Sequence, residues 1–114
     1  MENQSDHLLD GTSMTYDYEN GSGVEVQFVK GKFHFKWLSG PFKDLEGAED
    51  YKSRKLGDKI YVVNFFMANK TFVTIIFNFN TKTMCTSALF TPCTEEEMVL
   101  FEGGIIKHLE LKEN

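Results

Sequence analysis

Tyr16 and Tyr18 stand two residues apart in the stretch "MTYDYENGSGVEVQF" (residues 14–28). On an extended strand both phenols project from one face, with their Cα atoms about 7 Å apart. Two neutral phenols in one space can clamp a carboxylate or a carbonyl, because a buried hydroxyl needs a hydrogen-bond partner. The same spacing suits two amphipathic rings that fill a core and keep their hydroxyls near its mouth. Spacing alone leaves both readings open.

The other reactive side chains form no constellation. His7, His34 and His108 lack partners at metal-ligand spacing, so no metal or other cofactor is expected. Cys85 has no base and no electropositive setting that would make it a nucleophile, and it reads as a small core residue; Cys93 follows Pro92 in a loop. The acids of "EGAEDY" (residues 46–51) read as an exposed loop rather than an acid–base pair. The run Lys52-Ser53-Arg54-Lys55 reads as a solvated edge or turn. No nucleophile elbow, P-loop or dinucleotide fingerprint occurs.

The elements that position these residues follow from period-two alternation. The chain has 114 residues, enough for one domain, and its 11 phenylalanines favour half-buried sheet. Met14, Tyr16 and Tyr18 alternate with Ser13, Thr15 and Asp17. Asn20-Gly21 then tolerates the positive φ of a hairpin turn. A return strand spans 24–30, Gly31-Lys32 turns the chain, and Phe33, Phe35 and Trp37 share a face. Ser39-Gly40-Pro41 ends that strand. Residues 42–50 read as a connection and 50–56 as a strand. Strands 59–67 and 71–79 are apolar on both faces, and 83–90 follows. Thr94 to Glu97 fits a capping box that opens at most a short helical turn. A last strand, about 99–111, contains Gly103-Gly104, which reads as a bulge or bend where a barrel closes. Residues 1–10 read as a flexible arm, with Leu8 and Leu9 able to pack on the domain at 11–114. The expectation is an all-β fold: a single eight-stranded antiparallel up-and-down barrel of calycin or lipocalin type.

Charge and hydropathy narrow the function. A net charge of −5 argues against a surface that tracks phosphates, so no nucleic acid is expected. No stretch approaches 18 apolar residues, so no membrane span is expected. The first 20 residues carry no basic or apolar leader, so the expected setting is cytoplasmic with both thiols reduced. The Asn-X-Ser/Thr triplets at Asn3, Asn20 and Asn69 then mark local turns only.

"GTSMTYDYENGSGVEVQF" resembles the opening of the phenolic acid decarboxylases: a Gly, a Tyr-X-Tyr strand, Glu-Asn-Gly, then a second alternating strand. With "FHFKWLSG" and "KIYVVNF" the wider pattern, over most of residues 10–111, resembles the related MoaF-like proteins, small calycin-type barrels. The resemblance implies a barrel with an internal cavity and often a dimer. In the decarboxylases two tyrosines bind the substrate carboxylate, and an arginine and a glutamate complete the site. Tyr16 and Tyr18 match the tyrosines. Met67 falls near the glutamate position, and Lys43 is the one cation where the arginine is expected. Without that carboxylate the proton delivery that decarboxylation requires has no donor, so the fold is expected without the activity.

Three expectations result. The first is a non-catalytic barrel that binds a small apolar or aromatic acid ligand, with Tyr16 and Tyr18 as the polar handle and Met14, Phe35, Trp37, Tyr61, Phe65, Met67 and Ile76 as walls. The second is a lyase or decarboxylase acting on a phenolic or other small aromatic acid. The third is a homodimer, since phenylalanines on both faces of 59–67 and 71–79 exceed what one barrel interior takes up.

Overall fold

The computed structural model describes residues 7–68 and 70–111. It is a closed antiparallel barrel in up-and-down order. The strands are β1 (Ser13–Tyr18), β2 (Gly23–Val29), β3 (Lys32–Trp37), β4 (Glu46–Gly57), β5 (Ile60–Phe66), β6 (Phe72–Asn78), β7 (Thr83–Phe90) and β8 (Met98–Glu110). Closure comes from β8 pairing with both β7 and β1, so no strand edge is left among the described residues.

Turn chemistry fixes the hairpins. Lys30 and Gly31, at φ 51° and 79°, form a two-residue loop with both residues in the left-handed region, which matches the twist of β2 and β3. At the β1–β2 turn only Gly21 takes positive φ, 93°, while the Asn20 side chain accepts from Ser22 N at 2.9 Å. The expected Asn-Gly pair is therefore a longer loop whose left-handed position is Gly21 alone.

Three local expectations are corrected. Residues 46–50 are not a connection or an exposed loop: β4 begins at Glu46, and Glu46–Asp50 pair with Lys36–Lys32. The strand is polar on both faces there, so no apolar alternation announces it. Gly47 replaces a wall residue, because a Cβ there would stand 3.0 Å from the Phe35 ring. Gly103 and Gly104 form no bulge; they pair in register with Cys85 and Met84. The irregularity lies between Ser13 and Thr15, opposite His108, whose φ is 48°. The capping box is displaced: Glu97 accepts from Cys93 N at 2.6 Å, and the Thr94 hydroxyl accepts from Glu96 N at 3.2 Å, in a turn without helix.

One end of the barrel is filled. Phe28 packs on Tyr51 (4.9 Å between centroids) and Phe77 (6.2 Å), and Phe77 stacks on Phe79 (5.8 Å). Leu9 is buried against this layer. Its amide donates to the Tyr51 hydroxyl at 3.2 Å, that hydroxyl donates to the Asp10 carboxylate at 2.8 Å, and Asp10 also accepts from Gly31 N at 3.0 Å. Residues 7–10, expected in a loose arm, thus close the barrel floor; residues 1–6 and Asn69 lie outside the described residues.

Candidate functional site

The other end is open. A cavity of about 360 Å³ runs inward from it, within the range of small-molecule pockets. The inward positions of β1 to β3 supply Tyr16, Tyr18, Val24, Phe33, Phe35 and Trp37. Phe65, Met67, Val73 and Ile75 come from β5, β6 and their connection. Thr86, Phe90 and Leu100 close the ring from β7 and β8, and Phe42, Leu45, Glu96 and Met98 stand at the mouth.

Alternation decides which of the expected residues meet. Tyr16, Tyr18, Phe35, Trp37, Phe65 and Met67 all line the cavity. Met14 and Tyr61 also face inward, but lie deeper: Met14 is buried in the core, and Tyr61 packs on Phe79 at 5.9 Å toward the filled end. Ile76 is corrected outright. It lies on the outer face, 42% exposed, because Ile75 and Phe77 take the inward positions of β6. Cys85, expected in the core, is on the outer face of β7 for the same reason, with Met84 and Thr86 inside. Lys43, the cation expected near the arginine position, is exposed in the β3–β4 loop, 3.4 Å from Asp44.

The tyrosines form one polar handle in aromatic surroundings. Their rings meet edge-on at 5.4 Å, and Tyr18 stacks on Trp37 at 5.8 Å. The Tyr18 hydroxyl lies 2.8 Å from the Thr86 hydroxyl. Burial pushes the Tyr16 phenol well above the ordinary tyrosine range, with the neighbouring Tyr18 adding to it. Burial also raises Tyr18, against the opposing effect of its hydrogen bonds with Thr86 and Tyr16. Both phenols are therefore protonated at neutral pH and act as neutral hydrogen-bonding groups.

Thr86 is the residue that sequence reasoning missed. Its signal was present: a hydroxyl between Met84 and Ala88 on an otherwise apolar face. Phe90 and Leu100 follow the same parity. Phe42 had no periodic signal, since it sits in a loop; it reaches the mouth by packing on Trp37 at 5.1 Å and Phe90 at 5.9 Å. Among the described residues no lysine, arginine or histidine lines the cavity, and no group of three His, Cys, Asp or Glu side chains is placed to hold a metal ion. Among the described residues no helix is long and apolar enough to cross a membrane.

Comparison with known proteins agrees with this architecture. The family described as the MoaF N-terminal domain matches residues 2–89, which takes in β1 to β6 and nearly all of β7. A crystal structure from Burkholderia vietnamiensis, of a protein described as a proposed beta-lactamase, superposes with a TM-score of 0.77 at 15% identity. The match covers 86% of this chain and 92% of that one; at this identity it speaks for the fold alone. No curated protein matches the chain.

Proposed function

The chain belongs to the MoaF N-terminal domain family, and from its half-filled barrel we propose that it is a calycin-like binding protein for a small, largely apolar ligand. The observation that carries this reading is the contrast between the two ends of one barrel. The floor is packed with aromatic rings and closed by Leu9, whereas an aromatic cavity of about 360 Å³ with grouped hydroxyls stays open at the mouth. Close packing is the norm in protein interiors, so a void of this size on one side only is a property that function has to account for. A decarboxylase-like role finds no comparable support: Met67 occupies the wall, Glu96 at the mouth is the one ionisable carboxyl or cation among the described lining residues, and Glu102, beside Thr86 in register, lies outside that lining. Native mass spectrometry of protein purified without denaturant tests the binding reading. A retained mass of small-molecule size on the 13.1 kDa chain supports it. A bare mass, with no binding across a panel of small aromatic compounds, overturns it.

A second reading concerns self-association and rests on a different observation. Phe66, Phe72, Leu89 and Val99 are consecutive register partners across β5 to β8, and all are exposed. Phe101 (74% exposed), Ile76 and Ile105 extend the patch. The outward positions of β1 to β4 instead carry Glu25, Lys32, Lys36, Asp50, Lys52 and Arg54. A closed barrel offers no strand edge to a partner, so association has to use a side-chain face. The apolar row of β5–β8, beyond which Lys107 is paired with Asp17 at 2.7 Å, suits a second copy of itself: two such rows bury no unpaired charge, in a chain whose net charge of −5 otherwise repels its like.

A further inference from the structure

We propose that the cavity selects an uncharged aromatic ligand bearing one carbonyl or hydroxyl, held at Tyr18 and Thr86, and discriminates against the corresponding carboxylate. This deepens the binding reading above and rests on it.

The first argument is charge. A buried carboxylate needs a counter-charge or several donors, and its desolvation costs several kcal/mol in their absence. Among the described residues that line the cavity none is cationic, and the one charged group, Glu96, is itself an acid. Glu102 adds to this. It is the register partner of Thr86 on β8, on the same face of the sheet, and its negative charge acts on the Tyr18 phenol. With acids at Glu96 and Glu102 and no cation among the described lining residues, the charges placed around the handle disfavour an anion.

The second argument counts hydrogens. Each hydroxyl offers one O–H. Tyr18 and Thr86 share one bond between them. That leaves a single O–H of the pair for a ligand. One donor satisfies a neutral carbonyl. It does not satisfy a carboxylate, whose two oxygens accept at about four sites. The remaining wall, with Trp37 stacked on Tyr18 and Phe33 stacked on Phe65 at 4.5 Å, presents ring faces that suit a flat aromatic body.

A matched pair separates the alternatives: 2-naphthamide and 2-naphthoate, nearly isosteric and differing in charge at neutral pH. Trp37 is the single tryptophan and lines the cavity, so its indole N–H gives one resolved NMR signal as the readout. The expected result is that the amide shifts this signal with a Kd at least tenfold below that of the carboxylate. Tyr18→Phe is expected to weaken the amide several-fold and to leave the carboxylate nearly unchanged. A carboxylate that binds as tightly as the amide, or tighter, overturns the selection while the binding reading stands. Failure of both compounds to move the indole signal at millimolar concentration overturns the binding reading and the selection with it.

Discussion

Tyr18 on β1 and Thr86 on β7 share a 2.8 Å hydrogen bond although their strands are not neighbours. β8 runs between them, and the residue it places there is Gly104, which pairs with Tyr18 on one side and with Met84 on the other. The bond therefore reaches across β8 on the inner face of the barrel.

That bond predicts coupled stability. Tyr18→Phe and Thr86→Val each remove one partner and leave the other buried hydroxyl short of a bond, at a cost of about 1–2 kcal/mol. The double variant is expected to lose about 1 kcal/mol less than the sum, because the second change removes the group left unsatisfied by the first. Urea denaturation of the four proteins measures the cycle; strict additivity would mean the two hydroxyls do not depend on each other.

Adjacent glycines are predicted to differ sharply. A Cβ on Gly104 would lie 2.5 Å from the Asp17 carbonyl oxygen and 2.9 Å from the Met84 sulfur. Backbone cannot yield as a side chain does, so Gly104→Ala is expected to destabilise by more than about 2 kcal/mol. At Gly103 the nearest atom would be 3.6 Å away, and Gly103→Ala is expected to stay within about 0.5 kcal/mol of the wild type. Melting temperatures of the two variants decide it.

Alkaline stability has a defined sign. Tyr16, Tyr18 and Tyr51 all hold their protons more tightly when folded, burial being the main cause in each, with Asp10 reinforcing it for Tyr51. A raised folded pKa means full stability below the unfolded tyrosine value near 10 and loss as pH climbs above it, since the unfolded chain ionises first. The phenolate absorbance of these residues is therefore expected to arise together with loss of near-UV circular dichroism. A reversible phenolate step from them with the fold intact would contradict their burial.

The outer apolar row predicts an oligomeric state. Light scattering is expected to give twice the 13.1 kDa chain mass at micromolar concentration, and Val99→Lys with Phe101→Lys to give the monomer. Both positions are exposed on β8, so the substitutions leave the barrel core and its folding untouched. A wild-type monomer under these conditions would remove the self-association reading.

Much of this architecture was legible in the sequence because a half-buried strand writes its own period. Met14-Tyr16-Tyr18 and Phe33-Phe35-Trp37 each announced a shared face, barrel closure turned those faces inward, and six of the nine expected site residues line the cavity. Where both faces are apolar the period fails. On β6, Ile75 and Ile76 are equivalent by type, and only the barrel's curvature sends one inward and leaves the other 42% exposed. Where both faces are polar it fails as well, which concealed the start of β4 at Glu46.

By itself, the sequence determined the number of strands, the chief turns and the pairing of two tyrosines on one face, because these depend on local φ preferences and on a two-residue repeat. Tertiary structure decided which end of the barrel is filled, that Leu9 and Asp10 seal the floor, that Thr86 meets Tyr18 across β8, and that no cation among the described residues lines the cavity. Those are relations between residues tens of positions apart. They are set by register and closure, and a period of two carries no information about either.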